Sequence, residues 1–158
     1  MALQVLINLF IAFLWMFLQD KWGILSFFSG YLVGIFIVFG LRRFFPSSFY
    51  LNKFFAAVYL LGVFLRESVV SSFYVIGHVI RPKLQITPGI FKLETELESD
   101  FEVTLLALLL TLTPGSVVME VTPDKKYFYV HALNLPDSRE AVRDSKIKFE
   151  HAIRKVTC

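Results

Sequence analysis

The sequence predicts a membrane α-helical hairpin plus an amphipathic or third membrane-associated helix, followed by a small cytoplasmic α+β domain of order β-α-β-β-α. Three observations predict it. Residues 1–80 are almost continuously apolar and residues 81–158 are water-compatible, so the chain changes character near Arg81. Of 16 Lys and Arg and 13 Asp and Glu, five and two precede that break and eleven and eleven follow it, so the net charge of +3 sits on the apolar part. Mean hydropathy is +0.62, and with 18 Phe in 158 residues the chain has room for one soluble domain at most.

Two stretches have the length of a bilayer crossing, which takes about 20 apolar residues in a helix. Met1–Leu18 is interrupted only by Gln4 and Asn8, and Trp22–Leu41 carries no charge. Helices satisfy their backbone groups internally, as lipid demands, and the connection Gln19-Asp20-Lys21-Trp22 is short enough to force an antiparallel hairpin. No basic residue precedes the first run and no small-x-small cleavage signal follows it, so it reads as retained, not as a secretory signal. Arg42, Arg43 and Lys53 follow the second span, against Lys21 offset by Asp20 in the connection. Positive charge stays inside, which puts both the N-terminus and the Arg42 side in the cytoplasm.

Ser26, Gly30 and Gly34 recur at spacing four on the second span. Small residues in such a row let another helix approach closely. Two partners fit it, the chain's own first helix and a different membrane protein, and a hairpin with two faces accommodates both. The third stretch, Phe54 to Ile80, is also long enough to cross, but Arg66 and Glu67 stand at its centre. A charge at mid-bilayer costs roughly 2.5–3.5 kcal/mol, and neighbours at i and i+1 do not face each other on a helix. Basic residues flank the stretch at both ends, which favours a helix lying in the interface or against partner subunits, with Ser68, Ser71, Ser72 and His78 on its wetter side. A third crossing is the alternative. The resulting organisation is a hairpin over 1–43 (spans about 1–18 and 22–41), a membrane-associated helix over 44–80 and a cytoplasmic domain over 81–158.

In the second half Pro82 ends the long helix and Thr87-Pro88-Gly89 marks a turn, with a candidate initial strand near Leu84–Ile86. Phe91 to Leu97 alternates apolar and charged residues as a half-exposed strand does. Ser99-Asp100-Phe101-Glu102 has the form of a capping box and opens a helix running to about Thr111. Thr113-Pro114-Gly115 stops it; two strands joined by Pro123-Asp124-Lys125-Lys126 follow, and Pro136-Asp137 opens a last amphipathic helix. Its apolar side holds Val142, Phe149, Ala152, Ile153 and Val156. Helices on one face of a mixed sheet are the expected layering. The Leu-rich helix is apolar all round, so cover is expected on several sides, from the membrane surface or from the amphipathic helix before it.

Constellations for catalysis are lacking. His78, His131 and His151 are scattered, the single Cys158 rules out an intrachain disulfide, and no phosphate-binding glycine loop or nucleophile elbow occurs. No cofactor, metal or nucleic acid is expected, and the chain does not read as an enzyme. The alternating acids from Glu94 to Glu102 read as a solvated face, with weak cation attraction as the minor alternative, and Lys146, Lys148, Arg154 and Lys155 read as a second solvated face, with contact to anionic lipid as theirs. Arg66 and Glu67 remain as candidates for an ion-linked role or a salt bridge.

Several short passages carry a family resemblance together. Leu105-Leu106-Ala107 through Thr111-Leu112-Thr113-Pro114-Gly115-Ser116, then Val121-Thr122-Pro123-Asp124 and Tyr129-Val130-His131, resemble the E subunit of Mrp-type (Mnh-type) Na⁺/H⁺ antiporters. Pro88 to Ile90 and the N-terminal hairpin extend the likeness over most of the chain. The resemblance implies an accessory, non-catalytic subunit of a multisubunit bacterial antiporter, whose ion path belongs to larger subunits. It implies structural roles for Thr111, Thr113, Pro114, Gly115 and His131, partners among the other subunits and membrane lipid, and a multi-pass place in the bacterial cell membrane. The alternative is a stand-alone membrane-anchored binding or regulatory module.

Overall fold

A computed structural model describes residues 2–44, 50–82 and 86–157. The chain divides into two compact units, residues 1–55 and 56–158.

The first unit is built on α1 (Ala2–Leu18) and α2 (Ile24–Gly40), which pack against each other. Each is 17 residues long, about 25 Å at 1.5 Å per residue and at the lower limit for a crossing. Asp20 in the connection takes a left-handed φ of 51°, which lets so short a link reverse the chain. On α1 the buried positions are Gln4, Asn8, Ala12 and Met16, every fourth residue; on α2 they are Gly30, Gly34 and Val38. The opposite faces stay apolar and open, with Leu6, Phe10, Phe13 and Phe17 on α1 and Leu25, Phe28, Leu32 and Phe36 on α2. A short 3-10 turn, Arg42–Phe44, follows, and the unit closes with the first turns of α3 (Tyr50–Val79).

The second unit holds the rest of α3, then β1 (Gly89–Glu94), α4 (Asp100–Leu112), β2 (Ser116–Val121), β3 (Tyr127–Ala132) and α5 (Leu135–Thr157). The expected order β-α-β-β-α is present; the candidate strand near Leu84–Ile86 falls mostly outside the described residues, and Ile86 is not in a strand. The sheet order is β1-β3-β2 and both pairings are antiparallel, which corrects the expectation of a mixed sheet. β1 and β2 run in the same direction across the α4 crossover, but β3 inserts between them, so no parallel ladder forms. Met119 sits where the β2–β3 register shifts, as at a bulge.

Phe91 and Leu93 on β1, Phe128 and Val130 on β3, Leu106 and Leu110 on α4 and Phe149 and Ile153 on α5 form the core. Leu60, Val63 and Phe64 of α3 join it, so the amphipathic helix supplies part of the cover that α4 needs. Leu108 and Leu112 nevertheless remain exposed, leaving one side of α4 open. Ser99 stands at the N-cap of α4 with extended backbone but makes no side-chain cap bond, a departure from the expected capping box. Glu102 instead accepts a hydrogen bond from the Thr157 hydroxyl at the end of α5.

The β2–β3 turn is held by Asp124, whose carboxylate accepts the Thr122 hydroxyl and the Lys126 N–H. The Thr122 hydroxyl is the chief reason this carboxyl lies below its ordinary value. Because the folded pKa is the lower one, the turn's extra stability is full above the unfolded value of about 3.9 and fades as pH falls through the folded one. We expect the Asp124 carboxyl, followed by NMR, to titrate below a reference aspartate, and Asp124→Asn to flatten that acid-range response. Titration at or above the reference value would refute the assignment.

Candidate functional site

Three sets of side chains stand out, one in the first unit and two in the second.

In the hairpin, Gly30 and Gly34 lie where α1 crosses closest. A Cβ on Gly30 would stand 2.7 Å from Trp15 Cβ and 3.0 Å from the Ala12 carbonyl oxygen. At Gly34 the space a Cβ would occupy is taken by the Asn8 side-chain oxygen. With its oxygen seated in that notch, Asn8 Nδ2 donates to the Tyr50 hydroxyl at 2.8 Å, and the Tyr50 backbone N–H donates to Gln4 Oε1 at 3.0 Å. The Trp15 indole donates to Ser29 Oγ at 3.2 Å, and Ser29 donates back to the Ser26 carbonyl at 2.9 Å. Ser26 is thus a half-buried end of the row, and the two glycines receive the chain's own first helix.

Within the second unit, α3 turns Glu67 toward α5. Glu67 is 5 % exposed. Its Oε2 accepts from Ser145 Oγ at 2.9 Å and its Oε1 from Lys148 Nζ at 3.0 Å and Arg66 Nη1 at 3.1 Å. Arg66 does neutralise its neighbour, contrary to the expectation from helix geometry. Its long stem lets an exposed guanidinium curl back over the adjoining residue, and the main counter-charge comes from α5. The expectation of a wetter side at Ser68, Ser71, Ser72 and His78 is corrected at His78, while the three serines are half-buried. His78 is buried, with a ring nitrogen 2.9 Å from the Tyr74 carbonyl oxygen, and the buried Ser68 hydroxyl finds no hydrogen-bond partner among the described residues.

Beside Glu67 a cavity of about 240 Å³ is bounded by Ser71 and Tyr74, the Pro114–Gly115 turn, and Ser138 and Ser145. The Tyr74 hydroxyl and Ser138 Oγ are buried without hydrogen-bond partners among the described residues, a lining suited to ordered water.

The third set is the Thr111–Ser116 segment, which closes α4 and launches β2. Thr113 donates to the Leu109 carbonyl twice, through its N–H at 3.2 Å and its Oγ1 at 2.7 Å, and Ser116 Oγ donates to the Leu110 carbonyl at 3.1 Å, serving acceptors at the helix end. Thr111 Oγ1 accepts the Val118 N–H at 3.2 Å. Gly115 has φ +95°, a left-handed value that glycine adopts without strain, and its carbonyl accepts the Leu133 N–H at 3.0 Å. Pro114 lines the cavity. His131 stands apart, half-buried on β3 between Ile90 and Val117.

Sequence reasoning missed Gln4, Asn8 and Tyr50 as a connected polar set, and Ser145 and Lys148 as partners of Glu67. The spacing of four from Gln4 through Asn8 to Ala12 was a usable signal for the first set. Lys148 lies 81 residues from Glu67, and no local pattern announces that pair.

Fold and sites together define a class: an apolar helical hairpin attached to a small α+β unit, equipped for packing. Among the described residues no cluster of three or more His, Cys, Asp or Glu is placed to hold a metal. Residues 8–156 match the family described as Na⁺/H⁺ ion antiporter subunit. The Na⁺/H⁺ antiporter subunits E of Bacillus subtilis and Alkalihalophilus pseudofirmus are each 42 % identical over 157 residues, 99 % of this chain and of theirs. Subunit E1 of Staphylococcus epidermidis is 35 % identical over 156 residues, 99 % of this chain and 98 % of that protein. A chain of the membrane-bound sulfane sulfur reductase, an archaeal respiratory membrane complex, shares the fold with a TM-score of 0.56 at 20 % identity, covering 97 % of this chain and 98 % of that one. The chain belongs to the E-subunit family of Mrp-type (Mnh-type) Na⁺/H⁺ antiporters.

Proposed function

We propose that this chain is a non-catalytic accessory subunit of a multisubunit Na⁺/H⁺ antiporter in the bacterial cell membrane, supporting assembly and stability of the complex. The observation that carries the reading is the two-faced hairpin. Its inner faces pack on each other and on Tyr50, and its outer faces present Phe10, Phe13, Phe28 and Phe36 to lipid or to larger subunits. The second unit adds hydrogen-bonded closure and an ion pair, and no nucleophile–base set is found among its described residues.

Both the N-terminus and the α+β domain lie on the cytoplasmic side in this reading, following Arg42, Arg43 and Lys53. The helix α3 runs along the interface. At 30 residues it is long and apolar enough to cross. Yet Glu67 pairs with Lys148, and Lys155 stands 4.7 Å from the centre of the Tyr59 ring, so α5 accompanies α3 over about two turns. A crossing would carry the charges of α5 into hydrocarbon at roughly 2.5–3.5 kcal/mol each. Leu61, Leu65, Val69 and Phe73, all exposed, face lipid or a partner instead.

Extraction of the tagged chain from its native membrane in mild detergent, with mass spectrometry of what co-purifies, tests the reading. Large polytopic subunits in constant ratio are expected. Recovery of a folded chain alone would favour a stand-alone membrane-anchored module. Protease access in sealed vesicles tests the topology: cleavage of the α+β domain only from the cytoplasmic side is the expected result.

A further inference from the structure

We infer that the open edge of β1 and the adjoining face of α5 form a docking groove for an extended acidic segment of another protein in the same complex. The inference rests on the subunit reading above and adds a surface and the chemistry of its occupant.

The two edges of the sheet differ. At β2 the Val118 N–H is taken by Thr111 Oγ1 and the strand is interrupted at Met119, so a further strand finds a blocked ladder. Within β1 neither device is present; the edge is closed only beyond it, where Glu150 Oε1 accepts the Glu96 N–H at 3.3 Å and Arg154 donates to the Glu96 carbonyl at 3.2 Å. Thr95 N–H bonds the Lys126 carbonyl at 2.9 Å, which turns the backbone N–H of Thr95 toward β3. Antiparallel alternation then turns the backbone groups of Leu93 and Phe91 toward β3 and those of Glu94, Lys92 and Ile90 away from it. These outward groups have no backbone partner among the described residues, which is the state that invites an added strand.

The wall beside that edge supplies specificity. A groove between β1 and α5 is lined by Lys92 and Glu94 on one side and by Arg139, Arg143 and Ile147 on the other. Of the other charges there, all but Glu94 are engaged: Lys146 pairs with Glu150 at 2.9 Å, Glu96 with Arg154 at 3.0 Å, and Lys92 lies 3.5 Å from the centre of the Tyr127 ring, so two guanidinium groups face a single carboxylate. Arg139 and Arg143, exposed and four residues apart on one face of α5, have no ion-pair partner among the described residues. Ile147, 54 % exposed, adds an apolar spot one turn further on. An extended segment seated on β1 would gain main-chain bonds from Ile90, Lys92 and Glu94, and its carboxylates would meet two guanidinium forks suited to bidentate pairing.

The test uses the full chain in its native membrane, with photoreactive benzoylphenylalanine at Ile147 and a control probe at Met119 on the blocked edge. After irradiation the complex is purified through the tag and cross-linked products are sequenced. The expected product joins Ile147 to a segment of a co-purifying protein with at least two Asp or Glu in an extended stretch. Arg139→Glu with Arg143→Glu should lower that yield about tenfold, a change of about 1.4 kcal/mol, and leave co-purification of the complex intact. Arg139→Gln with Arg143→Gln should lower it less. A product with a neutral or basic segment, a product with lipid, no product above the Met119 control in an intact complex, or a yield indifferent to charge reversal would each overturn the inference. Loss of co-purification by the unsubstituted chain would instead sink the subunit reading.

Discussion

Gly34→Leu is expected to prevent close packing of α1 on α2 and to reduce the chain recovered from membranes several-fold. The reason is local. The Asn8 oxygen already fills the position of a Cβ at Gly34, so even Gly34→Ala displaces the amide. Displacement breaks the 2.8 Å bond from Asn8 to Tyr50, and overpacking alone costs about 1–3 kcal/mol. A hydrogen bond within a membrane protein adds roughly 0.6–1.7 kcal/mol. Gly40→Ala on the same helix is the control, because nothing lies within 4 Å of a Cβ there. Gly30→Leu should behave like Gly34→Leu through Trp15 and Ala12. Equal recovery of the complex from Gly34→Leu and Gly40→Ala membranes would show that the notch has no part in assembly.

Glu67→Ala should loosen α3 from α5 and destabilise the second unit by about 2 kcal/mol, read as a fall of several degrees in its melting transition. The figure is held below the 3–5 kcal/mol of a fully buried pair because the side chains of Lys148 and Arg66 are 43 % and 68 % exposed and water can take them back. The Ser145 hydroxyl is the group left stranded. Lys148→Met should cost less than Glu67→Ala, since Ser145 and Arg66 still serve the carboxylate. For function the sharper variant is Arg66→Gln with Glu67→Gln. With a structural role for the pair, assembled complexes keep measurable Na⁺/H⁺ antiport in inverted vesicles. Complete loss of antiport with normal assembly would assign these residues an ion-linked role.

Much of the architecture was written locally. Apolar runs set the two hairpin helices to within about two residues of their ends, and Thr113-Pro114-Gly115 marked the end of α4. Val142, Phe149, Ala152 and Ile153 on one side of the last helix are all buried. What failed to show were the long-range choices. Nothing near Ser99 reveals that Glu102 will be claimed by Thr157, so the capping box looked complete. The sheet looked mixed because β1 and β2 are the ends of one crossover, and only the pairing of β3 with both settles their separation. Gln4 and Asn8 looked like interruptions because their partner, Tyr50, is more than 40 residues away.

The strand order has a consequence for the order in which the molecule can be made. β1 is synthesised first but has no neighbour until β3 arrives, and the core stays open until α5 brings Phe149 and Ile153. The hairpin, by contrast, is complete once Tyr50 has joined Gln4 and Asn8, and is ready for the translocon while the α+β unit is still being translated. Meanwhile the Leu-rich α4 emerges with no sheet to shield it, an interval in which it depends on chaperones or on the nearby bilayer. Cells that synthesise the chain faster than they insert it should therefore accumulate aggregates nucleated by this helix, well before any shortage of antiporter partners is felt.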